Sequence, residues 1–386
     1  MRTNKLVRVG TVASSLDFLE GQLAFYSSEY EVVAVANGAV KLREVGEREG
    51  VRTHEVKMAR AISLWQDVKS LFSLITFFAK EKPLIVHSMT PKAGLLSMIA
   101  AWLTGVPIRI HTYTGLIFPT ATGFKQKVLI LMDRILCRCA TRIIPEGQGV
   151  RKDLINYNIT KKPLRVLLNG SIKGLDEEVF DPSRYSVEAQ ETFRQRFGIS
   201  SGDFVFVFVG RLNRDKGINE LVRAFRAVQE VRPCKLLLVG EREDDQNPIL
   251  PETASEIERG EGIIFVGAQN DVRPFYAMSD ALVFPSYREG FPNVPLEAGA
   301  MGLPSIVTDI NGSNEIIIEG ENGTIIPPRD AEALAGAMRK LLLDPDYVGR
   351  LAGNARHLIT SRYNARDIWE ATLALYREAE ERVNRK

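Results

Sequence analysis

Two glutamates flank a turn-forming stretch in the second half of the chain. Glu289 and Glu297 lie eight positions apart in the segment REGFPNVPLEAGAMGLP, residues 288–304. Pro295 suits the first turn of a helix, so Glu289 should precede a turn at 290–294 and Glu297 should lie in the first helical turn. Carboxylates placed in this way can accept hydrogen bonds from paired sugar hydroxyls, and the backbone N–H groups between them can bind phosphate. Taken singly, Glu297 could serve the helix dipole and Glu289 could be an ordinary turn residue.

Two cations follow a glycine at an earlier point of the same half. The segment VGRLNRDKG, residues 209–217, places Arg211 and Lys216 between Gly210 and a helix that Asn219 is expected to cap. Two cations beside a helix N-terminus favour a diphosphate ligand. In an arbitrary loop such residues would be solvated surface charges. Their position after a strand, in series with the two glutamates, favours the binding site.

Short β-rich runs alternate with helix-length segments along the chain and must position these residues. The runs cover 6–10, 31–36, 84–88, 108–112 and 142–146 in the first half, and 204–210, 235–240, 263–267, 281–286, 304–309 and 323–328 in the second. Helical patterns in the second half cover about 219–230, 295–302, 330–343 and 347–360. This alternation predicts parallel sheets covered on both faces by helices. Ligands of such sheets bind beyond the carboxyl ends of the strands, so the loops after Gly210, Gly240, Val266, Pro285 and Asp309 should share one edge.

Length and composition limit the domain organisation and the compartment. A chain of 386 residues exceeds what one core usually fills, and the stretch 167–182, which has two glycines and no clear periodicity, is the expected linker. Cys137, Cys139 and Cys234 cannot build a disulfide framework, and no histidines accompany the first two, so a reducing cytoplasm is expected and zinc is not. Neither a signal peptide nor a membrane span is expected, because the most apolar stretch, 95–108, is short and interrupted.

Charge is distributed unevenly between the two halves. Residues 1–170 contain 24 Lys and Arg against 13 Asp and Glu, a net charge of +11, whereas residues 171–386 contain 26 against 35, a net charge of −9. The first half is therefore expected to meet an anionic partner. Nucleic acid is not the expected one, because no basic run is interleaved with stacking aromatic residues.

A helical pattern at 123–142 indicates that the anionic partner is a membrane surface. Lys127, Arg134, Arg138 and Arg142 fall on one predicted stripe, and Val128, Leu129, Ile135 and Leu136 fall on other faces. Such a helix could rest on anionic lipid, although an ordinary solvated face would have the same spacing. The excess of positive charge in this half favours the lipid.

The two loops described first resemble the retaining nucleotide-sugar glycosyltransferases of family 4. The family pattern of two glutamates separated by seven residues is matched by Glu289 and Glu297, and its Gly-Arg-x4-Lys-Gly pattern by residues 210–217. The segments at 169–182, 302–309 and 314–323 are also similar to the family. The similarity is strong over about 165–345 and weaker before it.

The resemblance implies the GT-B fold, in which two Rossmann-like domains with parallel sheets face a central cleft. The first domain, 1–168, would bind the acceptor and include a returning helix at about 364–386. The second domain, 169–363, would bind the donor. The terminal segment places Trp369, Leu373 and Tyr376 at helical spacing, as expected for such a helix.

The resemblance also implies a role for each matched residue. Arg211 and Lys216 beside Gly210 would hold the donor diphosphate, Glu297 the ribose, and the backbone of Val266 the base. Glu289 and the backbone of 290–293 would hold the transferred sugar; these last residues are Gly290, Phe291, Pro292 and Asn293. No metal and no tightly bound cofactor are implied, because side-chain cations and helix ends neutralise the leaving diphosphate.

The first half of the chain contains fewer candidate site residues than the second half. His111 in IRIHTYTG is expected at the end of an apolar strand, where the family often has a histidine near the transferred sugar, although a lone histidine there is more often structural. Glu146 in PEGQG follows the next strand and is a weaker candidate for contacting the acceptor. The loop at 10–21 lacks the Gly-Gly turn that is common in the family.

These observations together predict a cytoplasmic, membrane-associated, retaining enzyme that moves a hexose from a UDP-sugar to a lipid-linked or polysaccharide acceptor of a cell-surface glycan. Glu289, His111, Arg211 and Lys216 would be its catalytic residues. A UDP-sugar 2-epimerase of the same fold would need further acid and base residues. A non-catalytic sugar-nucleotide-binding protein would keep the cations and Glu297 but transfer nothing.

Overall fold

The computed structural model describes residues 4–59, 63–245 and 247–385, and the chain divides into two compact units. The first unit contains Met1–Gly174 and Ala365–Lys386, and the second contains Leu175–Asn364. The chain thus leaves the first unit after Gly174 and returns to it at Ala365. Each unit is an α/β structure with its own sheet and its own buried core.

The first unit is built on a six-stranded parallel sheet. Its strands are β1 (Lys5–Val12), β2 (Glu31–Asn37), β3 (Arg52–Glu55), β4 (Ile85–Met89), β5 (Ile108–Tyr113) and β6 (Arg142–Pro145). Its helices are α1 (Gln22–Tyr26), α2 (Ala39–Glu49), α3 (Leu64–Glu81), α4 (Pro91–Leu103), α5 (Gly123–Cys139) and α6 (Gln148–Asn156). Strands β1, β2 and β4–β6 contain buried runs rich in Val and Ile, because both faces of the sheet are covered there.

The second unit repeats this design over another six-stranded parallel sheet. Its strands are β7 (Phe204–Val209), β8 (Cys234–Val239), β9 (Ile263–Gly267), β10 (Ala281–Phe284), β11 (Ser305–Thr308) and β12 (Gly323–Ile326). Its helices are α7 (Val187–Arg196), α8 (Ile218–Gln229), α9 (Pro251–Arg259), α10 (Arg273–Ala277), α11 (Asn293–Ala300), α12 (Ser313–Ile316), α13 (Ala331–Leu343) and α14 (Pro345–Thr360).

The two sheets have equivalent strand orders. The order is β3-β2-β1-β4-β5-β6 in the first unit and β9-β8-β7-β10-β11-β12 in the second. In each sheet the chain starts in the middle, builds one edge, then crosses to the other side. Ligands of such sheets bind where the order reverses, which is between β1 and β4 in one unit and between β7 and β10 in the other. The prediction of two Rossmann-like domains with parallel sheets is confirmed.

The final helix, α15 (Ala365–Asn384), packs on the first unit, as predicted. The buried Tyr376 hydroxyl lies 2.7 Å from the Arg8 guanidinium and 2.6 Å from Nδ1 of His87. Arg8 is fully buried at 0% exposure and also bonds Nδ1 of His87 at 2.8 Å. Burial and the positive charge of Arg8 lower the pKa of His87, so His87 is neutral and can accept these bonds.

The predicted basic stripe on the helix at 123–142 is partly wrong. Helix α5 ends at Cys139, so Arg142 lies in β6, where its guanidinium is 3.1 Å from a carboxylate oxygen of Glu378 on α15. Arg134 donates to backbone carbonyls at 157 and 158. Lys127, Arg134 and Arg138 are all exposed on the helix, but of these three Arg134 has its guanidinium bonded to the backbone carbonyls.

Candidate active site

Two loops meet beyond the carboxyl ends of β7 and β10, at the point where the strand order of the second sheet reverses. The first loop runs from Gly210 to Gly217, and the second from Pro285 to Pro292. The Tyr287 N–H donates to the Asp215 carbonyl at 2.8 Å, and the Arg288 guanidinium pairs with the Asp215 carboxylate at 2.9 Å. The two loops are therefore joined through backbone and side chains before any ligand binds.

Lys216 and Glu289 form the ion pair at the centre of this junction. The Lys216 ammonium donates to the Glu289 carboxylate, which also accepts a hydrogen bond of 2.7 Å from the Ser286 hydroxyl. The ammonium lies 5.4 Å from the centroid of the Phe284 ring at the end of β10. The structure thus brings together two of the predicted site residues, from loops 73 positions apart in sequence.

The backbone around Lys216 explains why the side chain reaches the second loop. Arg214–Lys216 form a short 3₁₀ helix, in which the Asn213 side-chain oxygen accepts from the Lys216 N–H at 3.0 Å. Gly217 follows with φ 71°, and a Cβ at that position would lie 2.2 Å from the Pro285 carbonyl oxygen. Only glycine permits this close approach of the loop to the end of β10.

Arg211 is held separately from Lys216. Its guanidinium pairs with Glu243 at 2.8 Å, and the Asn213 amide donates to the same carboxylate at 2.6 Å. The Arg211 side chain is 58% exposed, so its charge is available to a ligand at the edge of the sheet. Glu243 was not predicted as a site residue, because its position after β8 shows no sequence pattern that links it to Arg211.

Two glycines let the backbone of β7 and β8 approach closely at this edge. Gly210 and Gly240 both have φ 146°, and the Gly210 N–H donates to the Val239 carbonyl at 2.9 Å. A Cβ at 240 would lie 1.9 Å from the Gly210 carbonyl oxygen. The loops after these strands share one edge of the sheet, as the alternation of strands and helices predicted.

Glu297 lies one turn deeper in α11 than predicted. Since α11 begins at Asn293, Glu297 is its fifth residue and belongs to the second turn. Its carboxylate accepts from the Tyr276 hydroxyl at 3.2 Å, and burial together with this carboxylate raises the pKa of Tyr276. The helix starts at Asn293 with Pro292 as its N-cap, so Pro295 still lies in the first turn, as predicted, and Glu297 follows that turn.

The backbone segment predicted to meet the sugar leads into α11. Phe291 is buried and its ring lies 5.6 Å from that of Tyr363, which fixes the turn before the helix. A Cβ at Gly312 would lie 2.5 Å from the Gly290 carbonyl oxygen, so a second loop packs closely on this turn. The N–H groups of Asn293 and Val294 begin α11, where helical N–H groups have no partner within the helix.

Val266, which was predicted to meet the base, lies near the end of β9. Its carbonyl accepts a hydrogen bond of 2.8 Å from the Gln269 amide.

The predicted cap of α8 is wrong. Asn219 does not cap α8, because the helix begins at Ile218 and its N-cap is Gly217. The Asn219 side chain instead accepts from the Leu250 N–H at 3.0 Å. The cap prediction failed because a glycine with positive φ ends the 3₁₀ helix and starts α8.

His111 lies inside the first unit. It is two residues before the end of β5, 1% exposed, and its Nδ1 is 2.8 Å from the Ser88 hydroxyl. A Cβ at Gly94 of α4 would lie 2.3 Å from the imidazole, so the helix packs directly on the ring. Burial lowers the pKa of His111 to about 3. The expected position at the strand end is wrong, because β5 continues through Tyr113.

Glu146 directly follows β6 and is buried. Its N–H donates to the Tyr113 carbonyl at 3.1 Å, and its carbonyl accepts from the Ser171 N–H at 2.9 Å. It lines a small internal cavity of about 20 Å³ together with Arg8, Gln22 and His87. Its position directly after the strand is as predicted, and its contact with the acceptor stays a prediction.

A larger cavity of about 290 Å³ lies where the strand order of the first sheet reverses. Its walls come from the ends of β1, β4 and β5 and from α5. The lining residues are Thr11, Val12, Ser15, Thr90, Pro91, Lys92, Leu95, Tyr113, Gly115, Leu116, Ile117, Leu129, Met132 and Asp133. Sequence patterns did not predict it, because the apolar residues of α5 were assigned to several faces without a partner.

Asp133 in this wall should make stability depend on pH. Burial raises the pKa of its carboxyl to about 7, although the Tyr113 hydroxyl 3.2 Å away acts in the opposite direction. The unfolded carboxyl has a pKa of about 3.9, so the folded form binds a proton more tightly, and Asp133 loses its contribution as the pH rises towards 7. Replacing Asp133 by Asn should therefore raise Tm, relative to the parent protein, more at pH 8 than at pH 5.

Thermal unfolding of both proteins from pH 5 to pH 8 measures this difference. The exposed Asp245→Asn change provides a carboxylate control in the second unit. A difference in Tm between D133N and the parent that stays constant over this range would contradict the assignment.

The resemblance implied a reaction without a metal ion. Within residues 4–59, 63–245 and 247–385, no group of three His, Cys, Asp or Glu side chains is arranged to hold a metal ion. The metal-independent reaction stays a prediction.

The two parallel sheets, each with its own reversal of strand order, define the class as a protein with two Rossmann-like domains, and comparison with known proteins agrees with this class. Residues 189–358 match the family model "Glycosyl transferases group 1", and residues 22–170 match "Glycosyl transferase 4-like domain". The chain belongs to the family 4 glycosyltransferases.

Individual proteins resemble this chain over most of its length. It is 34% identical over 378 residues to the capsular polysaccharide biosynthesis glycosyltransferase CapM of Staphylococcus aureus, covering 97% of each chain. It is 29% identical to the Escherichia coli UDP-Gal:alpha-D-GlcNAc-diphosphoundecaprenol alpha-1,3-galactosyltransferase, covering 80% of this chain and 78% of that one.

Solved structures support the fold. Anabaena Alr3699/HepE, in a complex with UDP and glucose, has a TM-score of 0.81 at 18% identity and covers 97% of this chain and 99% of that one. A glycosyltransferase from Rickettsia africae has a TM-score of 0.79 at 20% identity, covering 98% and 99%. The predicted resemblance and the GT-B fold class are confirmed.

Proposed function

We propose that this protein transfers a hexose from a UDP-sugar to a lipid-linked or polysaccharide acceptor, with retention of the anomeric configuration, during synthesis of a cell-surface glycan. The contact between Lys216 and Glu289 is the observation that carries the proposal, because it places a cation and a carboxylate together where parallel sheets bind ligands. The names of two relatives, one in capsular polysaccharide synthesis and one with a UDP-sugar donor and a diphosphoundecaprenol acceptor, support it.

The donor diphosphate would lie between Arg211 and Lys216. Each cation has a carboxylate partner in the protein alone, Glu243 and Glu289 respectively. These partners orient the cations before the donor arrives, which lowers the entropic cost of binding an anion. The N–H groups at the start of α11 would add further donors to phosphate or sugar oxygens.

Both glutamates would accept hydrogen bonds from hydroxyl groups of the donor. Glu289 would contact the transferred sugar, because its carboxylate adjoins Lys216 and therefore the phosphate that leaves C1. Glu297 would accept from the ribose, with the Tyr276 hydroxyl fixing its carboxylate. The backbone of Val266 at the end of β9 would meet the base, on the other side of Gly240 in the same sheet.

In the transfer the bond between C1 and the phosphate oxygen breaks, the acceptor hydroxyl oxygen forms the new bond to C1 on the same face of the sugar, and the hydroxyl proton passes to the departing diphosphate oxygen. Negative charge grows on the departing diphosphate as C1 becomes oxocarbenium-like. Arg211 and Lys216 would stabilise this charge, and preorganised electrostatic stabilisation of this kind often contributes more to catalysis than any other effect. We assign the acceptor to the first unit; the roles of His111 and Glu146 in it remain predictions, and burial of both side chains favours indirect effects.

Incubation with radiolabelled UDP-sugars and lipid-linked acceptors tests this function. Transfer of label to lipid, with the new linkage shown by NMR to keep the donor configuration, supports the proposal. Recovery of an isomerised UDP-sugar would instead identify the epimerase, and binding of UDP-sugars without turnover would identify a non-catalytic binding protein.

We further propose that the protein works in the cytoplasm at the inner face of the plasma membrane, with α5 on the bilayer. None of the described helices combines the length and hydropathy needed to traverse a bilayer. The outer face of α5 carries Phe124 and Leu131, which are 82% and 57% exposed, and also Ile135. Lys127 and Arg138 flank these apolar side chains on the same face, the arrangement of an interfacial helix.

Replacing Lys127 and Arg138 together by glutamine should weaken sedimentation with anionic vesicles. Each cation near an anionic surface contributes about 1 kcal/mol, so the partition coefficient for anionic vesicles should fall by at least about tenfold at low salt. The pair Arg196→Gln and Arg339→Gln removes the same charge from exposed positions of the second unit and serves as the control. Equal sedimentation with neutral and anionic vesicles would contradict electrostatic contact.

A further inference from the structure

We propose that the cavity of about 290 Å³ in the first unit binds the hydrocarbon end of the lipid-linked acceptor. This inference rests on the proposed function and names the part of the acceptor that the first unit recognises. The cavity lies beyond the carboxyl ends of β1 and β4, where doubly wound sheets bind their ligands. It therefore occupies in the first unit the position that Lys216 and Glu289 occupy in the second.

The polar groups of the wall already have partners within the protein. The hydroxyls of Thr11 and Thr90 bond each other at 2.7 Å, and Thr11 also accepts from the Ala93 N–H. The Ser15 hydroxyl donates to the Val12 carbonyl at 2.5 Å.

The same holds for the larger polar side chains. The Tyr113 hydroxyl donates to Asp133 at 3.2 Å, and the Lys92 ammonium pairs with Asp67 at 2.7 Å. Each of these groups thus has a partner without a ligand, and a hydrocarbon in the cavity would leave these contacts intact.

The remaining wall is apolar and comes from four separate elements. Val12 ends β1, Leu95 lies on α4, and Leu116 and Ile117 lie in the loop after β5. From α5, Leu129 and Met132 complete the enclosure. A cavity of this size approaches the lower end of the range for small-molecule sites, and its lining suits a branched hydrocarbon. Removal of such a chain from water stabilises the complex by about 25 cal/mol per Å² of apolar surface buried.

The position of α5 connects this cavity to the bilayer. One side of the helix lines the cavity through Leu129 and Met132, and the other exposes Phe124 and Leu131. Ile117 both lines the cavity and is 42% exposed, so the cavity reaches the surface of the unit. A hydrocarbon chain that leaves the membrane beside α5 would enter the cavity at Ile117.

Binding of farnesyl phosphate to the full-length protein tests the proposal by a readout other than transfer. The change Met132→Trp fills the cavity from α5, and Ile117→Glu places a charge at its mouth without a change in the core. Leu131→Trp, the neighbouring and exposed position of α5, is the matched control. We expect the first two changes to weaken farnesyl phosphate binding by at least about tenfold, and L131W to leave it within about twofold.

Two further ligands show whether the affinity comes from the phosphate, from any alkyl chain or from a branched chain. Inorganic phosphate and n-decyl phosphate should bind at least about tenfold more weakly than farnesyl phosphate, because neither fills the cavity with a branched chain. Equal binding of n-decyl phosphate would overturn the assignment to the acceptor in favour of a membrane acyl chain. Unchanged farnesyl phosphate binding in both M132W and I117E would show that the cavity does not hold the hydrocarbon. UDP binding, measured in parallel, should be the same in all variants. If the parent protein does not bind UDP, that result contradicts the proposed donor site and leaves the assignment of the cavity unaffected.

Discussion

Replacing Lys216 by alanine should lower kcat/KM for sugar transfer by about 100- to 1,000-fold, the effect of removing one preorganised group that stabilises transition-state charge. The ammonium that balances the departing diphosphate would be lost. Glu289 would keep its Ser286 hydrogen bond but lose its cation, leaving a carboxylate that repels the donor. Steady-state kinetics with the UDP-sugar identified by the transfer assay measures the effect.

Two further variants distinguish the loss of the Lys216 charge from a general loss of stability. Lys216→Arg keeps the charge and should recover part of the activity, although its planar guanidinium cannot reproduce the contact with Glu289. Lys235→Ala removes a partly buried lysine from β8 of the same unit and should leave kcat/KM within about threefold. A loss below tenfold in K216A would show that the Lys216–Glu289 pair is structural only.

Replacing Gly240 by alanine should destabilise the second unit by about 3 kcal/mol or more. The new Cβ would lie 1.9 Å from the Gly210 carbonyl oxygen, and the backbone at φ 146° is costly for any other residue. Because the obstructing atom belongs to the backbone at the end of β7, the strand ends must separate, and Arg211 and Asn213 move with them. Calorimetric unfolding measures the loss.

The chain provides internal controls for this measurement. Gly336 on α13 has open space where a Cβ would stand, so G336A should stabilise the protein by about 0.5–1 kcal/mol. Trp65, Trp102 and Trp369 all belong to the first unit, so tryptophan fluorescence reports that unit alone. If G240A unfolds at the same temperature as the parent protein, the close approach of β7 and β8 does not constrain the site.

The sheets could be predicted from sequence because buried parallel strands are continuous apolar runs. An apolar run such as FVFVFV can bury side chains on both of its faces only as a central strand of a covered sheet. Turn residues mark the ends of such runs. Strand β3 was not predicted, because its sequence, RTHE, contains no apolar run. It is an edge strand, and none of its residues is fully buried. Its pairing with β2 depends on backbone hydrogen bonds that leave no hydrophobic signal.

The site could be predicted only to the level of loops. The strand order makes the loops after β7 and β10 neighbours, and this determines that Lys216 and Glu289 can meet. Which partner each side chain takes depends on local backbone geometry, so Glu243, Ser286 and Tyr276 were not foreseen. His111 shows the converse error: a polar residue in an apolar run was expected at the strand end, whereas it is buried under α4 next to a glycine.

The return of α15 to the first unit affects the order in which the newly made protein matures. Arg8 is synthesised before the second unit, whereas its partner Tyr376 is synthesised after it. A buried guanidinium that lacks one of its hydrogen-bond partners is destabilising, so the first unit is incomplete until α15 is made, even though domains generally fold as units during synthesis. The second unit must therefore be synthesised before the first unit can complete its core.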